Sequence, residues 1–210
     1  MKRTVTFLAA LVFSFCAFAQ TPEEIVSRME TVMGGHSEAD GLTMVMDMKI
    51  PILGTMSSKT YVLGEKMKMI ATVRNEQVVT WYDGEVSRTY VPKTNEITVS
   101  TKKSKKVEDA GSEMEMFSGV TAGYDVSIKK ETDQAWYLLC KKSKTNKEKD
   151  DPKTMELVVA KGTYMPLSIS AKMSGVTMTI RDVGYEVTEA DVTFNPADYP
   201  DAKIVYKEEE

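Results

Sequence analysis

Every second side chain from Leu42 to Ile50 is apolar, and this pattern constrains the fold more than any other stretch. Successive side chains of a β-strand point to opposite faces, so a strand here carries an unbroken apolar row on one face. A helix would scatter the same residues around its axis. The apolar row consists of Leu42, Met44, Met46, Met48 and Ile50. The stretch therefore predicts a β-strand with one apolar face.

Methionine supplies three of the five positions in this row, and it returns in later alternating runs. Met67 and Met69 share a face with Ala71, and Met178 lies in another such run. Methionine is unbranched and polarizable, so it fills irregular cores and also suits surfaces that bind varied apolar partners. Two interpretations stay open: an ordinary sheet core, or a wall that faces a ligand.

Residues 1–19 have the parts of a secretory signal peptide. A positive start precedes an apolar run from Val5 to Phe18, and Ala17 to Ala19 forms a small-x-small cleavage sequence. The apolar run is too short for a membrane-spanning helix. We therefore expect cleavage near Ala19-Gln20, export from the cytoplasm and a single domain over residues 20–210.

Removal of the leader leaves Cys140 as the only cysteine, so an intramolecular disulfide cannot form. The formal net charge of the chain is −4, and the loss of Lys2 and Arg3 makes it about −6. An acidic surface argues against nucleic acid as a partner and against electrostatic adsorption to anionic lipid. Because no disulfide can form, the stability of the mature protein must come from its packed core.

The stretch from Thr21 to Glu24 predicts the start of an amphipathic helix. It supplies a capping hydroxyl, a proline in the first turn and two acids near the positive helix end. Gly34-Gly35 ends the helical pattern. From Leu42 onward, frequent turn signals predict about ten strands in sequential hairpins. So wide a sheet must curl or close, so we expect an antiparallel meander that curls around the helix.

Asp83-Gly84 predicts a two-residue turn between two strands, because both central positions of a type I′ turn need positive φ. This turn would place Trp81 opposite Val86 and Val79 opposite Arg88. Arg88 would then lie among apolar neighbours. It is a candidate latch that bonds backbone carbonyls of a covering segment, and the alternative is an arginine stacked on Trp81 at the sheet rim.

A mid-chain segment between Gly111 and Gly119 contains the apolar residues Met114, Met116 and Phe117. We expect this segment to form a short helix or lid over the sheet. A loop folded over a sheet edge fits the same residues.

Together, these features resemble the LolA-type carriers of outer-membrane lipoproteins. The resemblance lies in the helix after a leader, the D-G hairpin between Trp81 and Pro92, the mid-chain insertion, and F-N-P from Phe194 to Pro196. It spans the mature chain and implies a mainly β fold with α. That fold is an incomplete antiparallel β-barrel, a LolA/LolB-like half-barrel, covered by an N-terminal helix and a short mid-chain helical lid.

The resemblance also implies a periplasmic protein that houses lipoprotein acyl chains in an apolar concavity and meets sorting partners at the inner and outer membranes. In that family, a K-x-P-x-x-x-R segment supplies an arginine that latches the lid. Here Gly64 to Met69 contains neither the proline nor the arginine. We therefore expect a divergent member.

We predict a monomeric, non-catalytic lipid carrier that acts as a chaperone in lipoprotein transport and outer-membrane biogenesis. The alternative is an envelope interaction or sensor protein of the same fold without lipid transfer. The predicted lipid-binding wall consists of Met44, Met46, Met48, Met67, Met69, Trp81 and Met178. The predicted lid residues are Met114, Met116 and Phe117.

Motifs for catalysis and cofactor binding are missing from the sequence. It contains no G-x-S-x-G elbow, no H-E-x-x-H and no Walker loop, and its one histidine is His36. We expect no enzymatic activity, no cofactor and no metal. One alternative stays open, because M-x-M repeats could bind Cu(I), a soft ion that takes thioether ligands.

Overall fold

The computed structural model describes residues 20–73, 76–101 and 119–207. Within them it contains the helices α1 (Pro22–Gly34) and α2 (Glu189–Val192) and a 3-10 helix at Pro196–Asp198. The first six strands are β1 (Leu42–Ile50), β2 (Gly54–Leu63), β3 (Lys66–Val73), β4 (Glu76–Tyr82), β5 (Ser87–Val91) and β6 (Glu96–Ser100). The other six are β7 (Tyr124–Glu131), β8 (Ala135–Lys142), β9 (Thr154–Ala160), β10 (Pro166–Met173), β11 (Val176–Gly184) and β12 (Lys203–Tyr206).

All twelve of these strands form one sheet in the order β12-β6-β5-β4-β3-β2-β1-β11-β10-β9-β8-β7. Two antiparallel meanders, β1 to β6 and β7 to β11, join where β1 pairs with β11. The sheet does not close, because its outermost described strands, β7 and β12, are not neighbours. The predicted incomplete antiparallel barrel with an N-terminal helix is confirmed. The predicted mid-chain lid, with Met114, Met116 and Phe117, lies outside the described residues.

Helix α1 begins where the sequence predicts, and its first turn forms a reciprocal cap. The Thr21 hydroxyl accepts a hydrogen bond from the Glu24 N–H, and the Glu24 carboxylate accepts one from the Thr21 N–H. Pro22 occupies the first turn, where its missing N–H costs nothing. No helix within 20–73, 76–101 and 119–207 is long and apolar enough to span a membrane.

The C-terminal tail forms elements that the sequence did not predict. Strand β12 lies parallel to β6, where the Lys203 N–H donates to the Asn95 carbonyl and the Lys207 N–H donates to the Val99 carbonyl. Helix α2 and strand β12 are each only four residues long. Such short elements form through tertiary contacts rather than through a periodic pattern of their own.

The β4–β5 hairpin differs from the predicted two-residue turn. Tyr82 pairs with Ser87 and Trp81 with Arg88, so four residues form the loop and the predicted register was wrong by two residues. The Asp83 carboxylate explains the difference, because it accepts hydrogen bonds from the N–H groups of Glu85 and Val86. Such side-chain bonds to the backbone compete with the shorter turn.

Strand register gives the sheet two faces, which we call the helix-side face and the outer face. The helix-side face carries Leu42, Met44, Met46 and Met48 of β1, and α1 lies across part of it. Along this face Leu42 pairs with Val62, Val62 with Met67, and Met67 with Tyr82. These side chains bury the α1 stripe, which consists of Ile25, Val26, Met29 and Met33. The core therefore lies between α1 and this face.

An ion pair on the outer face crosses the β1–β11 junction that unites the two meanders. The Asp47 carboxylate accepts a hydrogen bond from Arg181 Nε at 2.7 Å. This bond lowers the pKa of Asp47 below its ordinary 3.8. Because the folded-state pKa is the lower one, the stabilisation is full above about pH 4 and is lost as the pH falls through the folded-state value.

Replacement of Asp47 by asparagine should therefore destabilise the protein by about 1 kcal/mol at pH 7 and hardly at all near pH 2. Urea unfolding of both proteins at the two pH values measures the difference. Asp125→Asn, which changes an exposed carboxylate on β7, is the control and should leave stability unchanged. An Asp47→Asn deficit of equal size at both pH values would contradict the assignment.

Candidate functional site

Helix α1 covers only one part of the helix-side face. Met44 and Met67 lie beneath it and are 2% and 5% exposed. For these two predicted wall residues, the structure places the sulfurs in a filled core. These two methionines therefore pack in one cluster with the apolar stripe of α1.

Beyond α1, the same face carries five methionines that are half-buried. We call this surface the methionine trough; it consists of Met46, Met48, Met56, Met69 and Met178. Met48 pairs with Met56 on β2 and with Met178 on β11, so three sulfur side chains stand side by side across three strands. None of the five belongs to the core cluster found among the described residues.

Small side chains separate the methionines and keep the surface shallow. Met46 pairs with Ser58, which pairs in turn with Ala71 on β3. On the other side, Met178 pairs with Ala171 on β10, and Ala171 packs against the core cluster. The trough therefore continues into buried apolar residues of β9 and β8 without a polar interruption.

Buried neighbours extend the row of Met48 and Met178 into the core. Ala171 pairs with Met155, and Met155 pairs with Cys140. Burial raises the pKa of the Cys140 thiol to about 11, so the thiol stays protonated at neutral pH. A protonated, buried thiol is a poor nucleophile. Cys140 therefore acts as an apolar packing residue within this row.

Sequence reasoning missed Met56. It lies at the start of β2, directly opposite Met48 in the β1–β2 hairpin. The length of the turn from Pro51 to Gly54 could have predicted this pair, since the number of loop residues sets which side chains meet across a hairpin. Met46, Met48, Met69 and Met178 were predicted. The register brings Met48 and Met178 beside Met56 and puts Met46 on the same face, whereas Met69 lies in the neighbouring row with Thr60 and Met44.

Trp81 is not part of this surface. It pairs with Lys68 and Arg88, and its side chain lies on the outer face. There it contacts Phe194 and Tyr199 edge to face, with ring centroids 5.2 Å and 5.5 Å away. Trp81 was predicted to share the lipid-binding wall with the methionines, but the register puts it on the opposite face of the sheet. Trp81 instead anchors the C-terminal segment to the sheet.

Arg88 lies beside Trp81 and contacts the same C-terminal segment. Its guanidinium donates to the Asp83 carboxylate at 2.5 Å and lies 5.7 Å from the Phe194 ring centroid. Burial opposes ionisation of Asp83, but the bonds from Arg88 and two backbone N–H groups outweigh it and lower its pKa. In the C-terminal tail, the group that covers the Arg88 guanidinium is thus the Phe194 ring. Whether Arg88 latches the predicted mid-chain segment remains a prediction.

Open grooves of moderate volume occur elsewhere in the described chain. One of about 400 Å³ lies between α1 and β7, near Val26 and Tyr124. A second of about 400 Å³ lies on the outer face beside Trp81 and Arg88. A third of about 330 Å³ adjoins it near Ile97 and Ile204. Trough methionines line none of these three grooves.

A polar cluster fastens the N-terminal end of α1 to the sheet. The Tyr164 hydroxyl accepts hydrogen bonds from Gln20 Nε2 at 2.6 Å and Arg28 Nη1 at 3.0 Å. The Tyr164 ring stacks on Trp136 at 5.4 Å. These contacts hold α1 in place and so fix the boundary between the covered part and the trough.

Side chains that could hold a metal are not clustered in the described parts of the chain, where no group of three or more His, Cys, Asp or Glu residues forms such a site. At the trough, the side chains that could coordinate a metal are the adjacent thioethers of Met48, Met56 and Met178. Their chemistry suits an apolar guest, and it also keeps the Cu(I) alternative open.

Solved structures share this architecture at low sequence identity. LprF from Mycobacterium bovis matches 84% of this chain and 99% of its own, with 10% identity and a TM-score of 0.53. Lipoprotein LppX from Mycobacterium tuberculosis matches 79% and 97%, with 11% identity and a TM-score of 0.51. A LolA superfamily protein from Nitrosomonas europaea matches 85% and 100%, with 10% identity and a TM-score of 0.31. No protein-family model and no curated protein matches the chain.

The described part of the chain has the fold of LprF and LppX. In this fold the open sheet and its N-terminal helix create a helix-side face that is partly covered. The resemblance predicted from the sequence is thereby confirmed at the level of the fold.

Two substitutions test the division of the helix-side face. Met44→Ala should cost about 2–4 kcal/mol of unfolding free energy, because it opens a cavity in a packed core. Met48→Ala should cost less than about 1 kcal/mol, because its side chain is partly exposed and lies outside the core cluster. Urea unfolding of both variants measures the contrast. Equal costs would show that the trough is core.

Proposed function

We propose that this protein is a non-enzymatic carrier that binds lipid acyl chains in the methionine trough. The observation that carries the proposal is the row Met56, Met48 and Met178, half-buried on the helix-side face and continuous with the buried core. An acyl chain laid along this row would remove apolar surface of both partners from water. The role resembles that of lipoprotein-sorting proteins.

Binding to such an open surface should be moderate in strength. Each methylene fully removed from water contributes about 0.8 kcal/mol, and an open trough buries only part of each one. Moderate affinity suits a carrier, because the guest must leave at its destination. Methionine side chains also adapt to guests of different shape, so one surface can accept several acyl chains.

Fold comparisons support the proposal, because LprF and LppX share the fold and LppX is a lipoprotein. From the leader predicted over residues 1–19 we expect the mature protein to work outside the cytoplasm, in the periplasm. A monomeric carrier there would take lipoprotein acyl chains between partners at the two membranes.

A second candidate is a sensor or interaction protein of the same fold that transfers no lipid. The filled core beneath α1, where Met44 and Met67 are buried, favours it. Such a protein would bind its partner through edges and loops and would show no saturable affinity for a free acyl chain. Acyl-chain binding therefore separates the two candidates.

Titration with a fluorescent fatty acid tests the proposal. The double variant Met48→Gln, Met178→Gln keeps side-chain length and adds polarity, so it should bind at least about tenfold more weakly than the parent. Leu167→Gln changes an exposed residue of β10 and is the matched control. Its affinity should equal that of the parent.

Native mass spectrometry of the purified protein, before and after delipidation, adds an independent readout. A bound species of lipid mass supports the carrier. Absence of saturable binding in the parent, or an unchanged affinity in the double variant, would overturn the proposal.

A further inference from the structure

The tip of the β1–β2 hairpin exposes two aliphatic side chains. Ile50 pairs with Gly54, so Pro51, Ile52 and Leu53 form a three-residue loop. Ile52 is fully exposed and Leu53 is 57% exposed. Burial of side chains of this size is favourable, so the exposure of two neighbouring ones needs an explanation.

Ile52 also has a backbone conformation that suits it poorly. Its φ is 72°, in the left-handed region that β-branched residues avoid. Glycine or asparagine at this position would relieve the strain and remove the exposed apolar surface. The position therefore carries two costs at once, and both result from the same side chain. A functional role for that side chain accounts for both.

The neighbouring hairpin adds a third apolar side chain beside the first two. Met173 ends β10 at the β10–β11 tip and is 39% exposed. Because β11 pairs with β1, the two tips lie at the same end of the sheet. Together Ile52, Leu53 and Met173 form what we call the tip patch. The described residues expose three other large apolar side chains, and these lie away from the two tips.

Charge around the tip patch differs from the charge of the whole protein. The chain has net charge −4, yet the sequence contains no Asp or Glu from residue 48 to 64 or from residue 162 to 181. Lys49 and Lys172 are exposed beside the two tips. Thr177 pairs with both, so the two ammonium groups flank one position of the sheet. The local surface is cationic and apolar.

The methionine trough begins next to this patch. Met48 and Met56 form the second residue pair below the Ile50–Gly54 pair, and Met178 continues that row. An acyl chain that entered at the tips would reach the trough without crossing a polar surface. The tip patch is thus placed at the open end of the proposed binding surface.

We propose that the tip patch inserts into the headgroup region of a phospholipid bilayer and forms the point where acyl chains enter and leave the trough. The inference rests on the proposed carrier function. A bilayer suits this surface, because it accepts a small apolar tip flanked by lysines that meet anionic headgroups. A protein partner fits less well, since a stable protein interface buries about 800 Å² on each side.

Vesicle flotation tests the proposal with protein that was expressed with its own leader and whose N-terminus was verified by mass spectrometry. The vesicles contain phosphatidylethanolamine and phosphatidylglycerol at 3:1. The double variant Ile52→Gly, Leu53→Ser should partition onto them at least about tenfold less than the parent. Its melting temperature should be unchanged or raised, because glycine accepts the positive φ.

The matched control is Ile204→Ser, which changes an exposed apolar side chain on β12 at the sheet edge. It should bind vesicles like the parent. Vesicle binding by the double variant at the parent level, or no binding by the parent, would overturn the proposal. If the double variant lost binding to immobilised envelope proteins but kept its binding to vesicles, the patch would be assigned to a protein partner, and this result would also overturn the proposal.

Fatty-acid titration in solution separates this proposal from the carrier function. If the double variant loses vesicle binding but keeps fatty-acid affinity, both proposals stand. If the parent binds vesicles through the tips and no fatty acid, the carrier function fails and the docking surface stands. If fatty acid binds and the tips do not matter for vesicles, only the carrier function stands.

Insertion can also be read directly with Leu53→Trp. Trp81 and Trp136 are buried, at 4% and 7% exposed, so a change on vesicle addition reports the new indole. Its emission should shift to shorter wavelength as the indole leaves water. An unchanged spectrum at saturating vesicle concentration would contradict insertion.

Discussion

Coverage is the constraint on which this structure depends: one helix of 13 residues packs on a sheet of twelve described strands. Such a helix is about 20 Å long, whereas twelve strands spaced about 4.8 Å apart extend on the order of 50 Å. The helix can therefore bury only part of the apolar face. Ile25, Val26, Met29 and Met33 fill the near part completely. The methionines beyond the helix stay half-buried, and their position follows from the mismatch in size.

The two faces of the sheet therefore make different contacts. On the outer face, Trp81, Phe194 and Tyr199 fix the C-terminal tail, and charged pairs such as Asp47 with Arg181 join the meanders. On the helix-side face, thioether side chains provide an adaptable apolar surface that ends at two exposed hairpin tips. The outer contacts stabilise the sheet without occupying the trough. The C-terminal tail and these ion pairs therefore leave the apolar helix-side face to α1 and the trough methionines.

Much of this arrangement could be predicted from the sequence, because it follows from local patterns. The Thr21 cap, the alternation from Leu42 to Ile50 and the methionine rows gave the helix, the strand and the shared face. Relations between distant segments could not be predicted in the same way. The sequence did not show that Met44 would lie under α1, that Trp81 would face the tail, or that Met56 would meet Met48. Each depends on register or on tertiary packing, which a two-residue repeat leaves open. The length of the β4–β5 loop could not be predicted either, because the Asp83 carboxylate bonds the N–H groups of Glu85 and Val86 and so competes with the shorter turn.

Methionine methyl NMR tests the central claim most directly, since methionines lie both in the core beneath α1 and in the trough. Protein labelled at the methionine methyl groups is titrated with a long-chain fatty acid, and each signal is assigned by substitution. The account predicts saturable shifts for the methyl groups of Met46, Met48, Met56 and Met178, with those of Met29 and Met44 unchanged. Shifts confined to Met29 and Met44, or no shifts at saturating ligand, would contradict it.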